Sequence, residues 1–185
     1  MKKNGFNDNW LYNGSRITLP HDAMLHEARD PKAACGSAGG FFPGGEYVYE
    51  KEFERPAAAH ALLQFEGVYK NAKVYVNGVP AGGAAYGYIP FFIDLDPYLK
   101  DGQNIVRIEC EVVQPDSRWY SGAGIYRPVW LWTGPENSIE PERVRISTVS
   151  YAPAVIRVQS PQTVTVTVDG ISGEGTDFEL TIPNA

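Results

Sequence analysis

Val106-Arg107-Ile108-Glu109-Cys110-Glu111-Val112 sets an apolar side chain at every second position and a charged one between. Successive side chains of an extended chain point to opposite faces, so this stretch offers one face to a core and one to water. Tyr47 to Phe53 alternates in the same way, and Ala61 to Glu66 and Ala72 to Val76 read as two further strands. Asn77-Gly78 follows directly and predicts a tight hairpin, because both residues tolerate positive φ. Ile125 to Trp132 reads as another strand, in which Pro128 marks an edge or a bulge. Ile17-Thr18-Leu19-Pro20-His21-Asp22 reads as a short strand running into a turn. Pro31 to Gly45 reads as a long Gly/Ala-rich loop, either a solvent-covered crossover or a functional loop. With 19 Gly, 14 Pro and many aromatics in 185 residues, the chain has little room for long helices and predicts many short strands.

A composition break follows Trp132. Thr133 to Ser138 is turn chemistry, and it divides the sequence into residues 1–136 and 137–185. Downstream, Arg143 to Val149, Val155 to Val158, Thr163 to Val168 and Phe178 to Ile182 read as strands. Asp169-Gly170 is a second hairpin turn, with Phe178 to Ile182 as the expected partner of Thr163 to Val168. An immunoglobulin-like sandwich needs roughly seven strands and about 100 residues. The second domain therefore reads as incomplete: either the chain is a fragment, or these strands pack on the first domain.

The net charge of −6 argues against nucleic acid, since a phosphate-binding surface needs clustered Lys and Arg. Here the longest basic run is Lys2-Lys3. Cys35 and Cys110 read as a loop thiol and a buried thiol rather than a bridge. The three histidines (His21, His26, His60) are dispersed and no C-x-x-C occurs, so no metal site is expected. Asp22 is expected to cap a turn, with His21 satisfying a backbone group. The glycine pairs do not sit between a strand and a helix as a phosphate loop requires, and no cofactor is expected. No apolar run reaches transmembrane length, so no membrane span is expected. The start is basic but lacks a signal peptide's apolar stretch. The chain reads as cytoplasmic, as would one that had lost its signal.

Several fragments, in order, resemble glycoside hydrolase family 2, above all its bacterial β-galactosidases. Leu19-Pro20-His21-Asp22 resembles the family's early Pro-His-Asp turn, and Gly44 to Phe53 its first long strand. Phe65-Glu66-Gly67-Val68 followed by Val74-Tyr75-Val76-Asn77-Gly78 resembles its paired strands. Phe92 to Leu99 and Gly102-Gln103-Asn104-Ile105-Val106 are similar to the next connection and the strand after it. Ser117-Arg118-Trp119-Tyr120-Ser121-Gly122-Ala123-Gly124-Ile125-Tyr126-Arg127 resembles the segment closing the family's N-terminal jelly-roll. Together these cover residues 17 to about 132, and Val144 to Ile182 resembles most of the immunoglobulin-like domain that follows. The resemblance implies an all-β chain: a jelly-roll (galactose-binding-domain-like) β-sandwich over residues 1–136, then a partial immunoglobulin-like β-sandwich over 137–185.

Retaining glycoside hydrolysis needs two carboxyl groups about 5 Å apart. In this family both are glutamates on a (β/α)₈ barrel, the acid/base within an Asn-Glu dipeptide. No Asn-Glu occurs here, and a barrel takes about 250 residues. No catalytic residue is assigned, and the chain reads as the non-catalytic sugar-binding region of a β-galactosidase-like enzyme. Its partners would be a carbohydrate, bound weakly by this region alone, and the catalytic barrel of a parent chain. Other readings are a free-standing carbohydrate-binding module and a structural or adhesive sandwich. In the β-galactosidases, loops of the first domain reach the barrel mouth and hold the sugar, which lowers the barrier by positioning. The matching loops are Gly67 to Asn71 and Gln114 to Trp119. Asp116 and Asn71 are the candidates for sugar hydroxyls, because carboxylates and carboxamides make directional hydrogen bonds. Tyr69 takes the place where the family pattern carries Asn, and Trp119 could stack on a sugar face. The structural alternatives are that Asp116 caps a turn after Pro115, Asn71 ends a hairpin and Trp119 packs its loop.

Overall fold

The computed structural model describes residues 1–116 and 122–183. Lys2–Glu136 forms one compact unit and Asn137–Ala185 another. The first holds β1 (Lys2–Gly5), β2 (Trp10–Tyr12), β3 (Ser15–Ile17), β4 (Gly45–Glu54), β5 (His60–Phe65), β6 (Ala72–Val76), β7 (Val79–Ala84), β8 (Phe91–Asp94), β9 (Gln103–Val112) and β10 (Val129–Gly134).

The alternating β9 is the spine of the larger sheet. Asn104, Val106, Ile108, Cys110 and Val112 are buried, while Gln103, Ile105 and Arg107 face water. It pairs antiparallel with β4 over ten residues, from Gly45 opposite Val112 to Glu54 opposite Gln103, and with β6 on its other side. The larger sheet runs β3-β2-β4-β9-β6-β7 and the smaller β1-β10-β5-β8. Leu63, Phe65 and Val129 of the smaller sheet join Tyr47, Tyr49, Val74, Val106 and Ile108 of the larger in one apolar core. The result is an all-β sandwich of the jelly-roll kind. The hairpin at Asn77-Gly78 forms with φ of 52° and 82°, the pair of positive values that a two-residue turn needs to match strand twist.

Three sequence expectations change. The strand placed at Ile125 to Trp132 starts only at Val129 and runs to Gly134. Pro128 lies just ahead of it and is neither edge nor bulge: its carbonyl accepts from the Glu66 N–H at 3.1 Å. A proline outside the ladder costs no ladder bond, so β10 can occupy an interior place between β1 and β5. His21 does not satisfy a backbone group with its ring; the imidazole meets the Tyr49 hydroxyl at 2.9 Å. Three short strands precede β4, and polar β1 pairs with β10 through Lys2 opposite Thr133 to Gly5 opposite Trp130.

The second unit holds β11 (Arg145–Tyr151), β12 (Ala154–Val168) and β13 (Ile171–Ile182) in one antiparallel sheet, part of an immunoglobulin-like architecture. Asp169 and Gly170 turn the chain at φ of 49° and 80°. Thr163 to Val168 does not pair with Phe178 to Ile182. Val164 to Val168 pairs with Gly175 back to Ile171, and Phe178 to Ile182 pairs with Val158 back to Ala154. The register shifts between Gln159 and Val164, a stretch containing Pro161, which has no N–H to give.

The cysteines are free, Cys110 buried and Cys35 half-buried. Burial pushes the Cys110 thiol pKa up, and the Cys35 thiol donates to the Phe42 carbonyl at 3.2 Å. Of the apolar run Tyr86 to Phe92, Tyr88 and Phe91 pack on the core, while Tyr86 and Ile89 stand about half exposed.

Candidate functional site

One edge of the first unit gathers the loops around Val68 to Asn71, Tyr86 to Ile89, Gln114 to Asp116 and Gly122 to Arg127. Two backbone bonds join them: the Tyr69 N–H donates to the Gly124 carbonyl at 2.9 Å, and the Gly124 N–H to the Tyr69 carbonyl at 2.7 Å. The turn after β3 anchors the same segment. Asp22 caps a 3-10 helix over Ala23–His26 through the Met24 N–H, and the same carboxylate oxygen accepts from the Ala123 N–H at 2.9 Å. The His21 N–H donates to the Ile125 carbonyl at 2.9 Å. The Pro-His-Asp turn and the Gly-Ile-Tyr-Arg segment, far apart in sequence, are therefore one structural clasp.

Gly124 has a steric reason to be glycine. Its φ is 99°, and a Cβ there would stand 2.0 Å from the Tyr49 hydroxyl oxygen. That hydroxyl, 0% exposed with its ring, has its pKa raised by burial first and by the neighbouring Cys110 next.

The four residues singled out from sequence take different places. Asp116 forms an ion pair with Lys70, their side chains 23% and 19% exposed. Asn71 sits at φ 50°, a value that Asn tolerates better than most residues. Its amide donates to the Glu111 carbonyl at 3.1 Å, and its backbone N–H to the Ala85 carbonyl at 3.2 Å. Tyr69 is 2% exposed; its ring meets Tyr88 edge-on at 5.5 Å. Trp119 lies outside the described residues.

The loop edge also brings in Lys70, which the sequence reading did not single out, together with Tyr126 and Arg127 of the closing motif and Tyr86. Lys70 carries the counter-charge for Asp116 and lies 5.9 Å from the Tyr69 ring centroid. A lone loop lysine carries no motif, and only its position between Tyr69 and Asn71 would have drawn notice. Tyr126 donates to the Gly87 carbonyl at 2.8 Å, Arg127 stacks on the Tyr126 ring, and Tyr86 packs on Tyr88 at 5.4 Å. A partly exposed acid–base pair on a loop edge that also carries the half-exposed Tyr86 suits a polyhydroxylated ring, which has directional hydroxyls and an apolar face.

Residues 42–135 match the family model described as glycosyl hydrolases family 2, sugar binding domain, and the chain belongs to this family. It is 44% identical over 138 residues to the beta-galactosidase BoGH2A of Bacteroides ovatus, a match over 71% of this chain and 16% of that protein. A putative beta-glucuronidase of Formosa agariphila is 33% identical over 138 residues, across 72% of this chain and 13% of its own length. The chain thus spans less than a fifth of these relatives. Among solved structures, a beta-glycosidase from Bacteroides vulgatus aligns with a TM-score of 0.80 at 22% identity, over 98% of this chain and 29% of that one. A family 2 member from Bacteroides cellulosilyticus aligns with a TM-score of 0.79 at 23% identity, over 97% and 30%. These likenesses establish the fold.

Proposed function

We propose that this chain is the sugar-binding and scaffolding region of a retaining β-glycosidase of the β-galactosidase kind. On this reading the Lys70–Asp116 edge orients a β-galactoside, while two glutamates on a barrel domain of the parent protein break the bond. The region contributes position and supplies no acid, base or nucleophile. One observation carries the reading: Asp116, with its Lys70 counter-ion, stands partly open to water on a loop edge built from the family's clasp. The 44% identity to a protein named as a beta-galactosidase favours galactosides over glucuronides.

Saturation-transfer NMR with lactose tests this. The chain should bind weakly and saturably, Asp116→Ala should abolish the signal, and a chromogenic β-galactoside should stay intact. Binding undiminished in Asp116→Ala, or hydrolysis by the purified chain, overturns the reading.

A further inference from the structure

We infer that His60, Asp94 and Asp96 form a binding site for one divalent transition-metal ion, with zinc the best fit. Strand register assembles it. β5 and β8 pair antiparallel with Leu62 opposite Asp94, so two residues back on β5 and two forward along the chain bring His60 opposite Asp96. Side chains two apart share a face, which puts all three residues on the side away from the core cluster that takes Ala61 and Leu63.

One donor atom from each of the three lies within 4.8 Å of the other two. The His60 side chain is 11% exposed, while both aspartates are open to water. The carboxylates are held in place. Asp96 accepts from the Ala61 N–H at 2.9 Å and meets His60 Nδ1 with its other oxygen. Asp94 accepts from the Asp96 N–H at 3.0 Å.

Charge gives the second, independent argument. Among the described residues the ion pairs bring no lysine or arginine to Asp94 or Asp96. Among the described residues, two carboxylates therefore share a small space with an imidazole and no lysine or arginine ion pair, on a chain of net charge −6. A divalent cation supplies the charge that is lacking. Zinc takes His nitrogen and Asp oxygen at about 2.0–2.2 Å and often keeps a fourth position for water. Donors around such an ion stand roughly 3.4 Å apart in a tetrahedron of these bond lengths, so the ion would replace the direct His60–Asp96 hydrogen bond, parting that pair slightly and drawing in the exposed Asp94 carboxylate. The imidazole favours zinc over magnesium and calcium, which prefer all-oxygen shells. A bound ion would clip the start of β5 to the chain just past β8.

The test uses the whole chain, stripped with a chelator and titrated with zinc chloride, manganese chloride or calcium chloride by calorimetry. One zinc ion per chain should bind, raise the melting temperature and shift the Ala61 and Asp96 amide resonances, with calcium without effect. Asp94→Asn and His60→Gln should each weaken zinc at least about tenfold. His26→Ala, which breaks up the stacked His21–His26 pair, should leave binding intact. Absence of stoichiometric zinc binding by the wild-type chain overturns the inference. So does binding that survives in both site variants, or resonance shifts centred on His21 and His26. The wild-type resonance map decides even if a variant fails to fold.

Discussion

Gly124 is held by two independent constraints, backbone and side chain. Gly124→Ala would put a methyl group against the Tyr49 oxygen at a φ that L-residues avoid. We expect a loss of roughly 2–5 kcal/mol, measured by urea denaturation. Tyr49→Phe in the same chain should return part of that loss, because the clashing atom is gone. His21 gives a second residue-scale prediction. Burial first, and the His26 charge next, lower its pKa from the usual 6.5. The unfolded chain therefore takes up this proton at a higher pH than the folded chain does. Stability is fully present above about pH 6.5 and falls as the pH drops through that value towards the lower folded one. His26→Ala should shrink the fall between pH 7 and pH 5 without removing it, since burial remains; paired denaturation curves at the two pH values check this.

At the scale of elements, the β6–β7 hairpin is fastened to β9 by two asparagines. Asn104 is 0% exposed; its oxygen accepts from the Asn77 amide at 2.7 Å and the Lys100 N–H at 3.0 Å. Asn77 in turn accepts from the Ile105 N–H at 3.0 Å. Asn104→Ala removes an acceptor from the part-buried Asn77 amide and the Lys100 N–H and a donor from the Lys100 and Gly102 carbonyls, and we expect a loss of about 1–3 kcal/mol with faster amide exchange in β6 and β7. The hairpin itself was legible, because Asn-Gly has a local conformational signature. So were β4, β6 and β9, whose alternation reflects one buried face, and β5, an apolar run buried along nearly its whole length. β1 was not: Lys-Lys-Asn-Gly has no apolar period, and its pairing is fixed by β10, more than a hundred residues away. The candidate site divides in the same way. Asp116 stood out through the family pattern, whereas its partner Lys70 shows only when two loops meet. The aspartates beside His60 meet it only through the β5–β8 register.

At the scale of the molecule, every residue of the main core cluster lies between Phe6 and Val129. A chain ending at Glu136 should therefore fold, keeping the near-ultraviolet dichroism of buried Trp10; loss of that signal would show that the first unit depends on the second. The two units meet in sequence between Glu136 and Asn137. The pairing in the second unit was not legible, because strict alternation in Thr163 to Val168 fixes a face and leaves the partner open. The position of β10 between β1 and β5 has a further consequence. The smaller sheet lacks an interior member until Val129 to Gly134 has left the ribosome. Until then β5 can pair only with β8, and the first strand, waiting since the opening residues, has no partner in the sheet. Nascent chains halted before Val129 should be digested readily by protease, and resistance should arrive in one step once β10 emerges. Synthesis order thus makes the last strand of this unit its keystone.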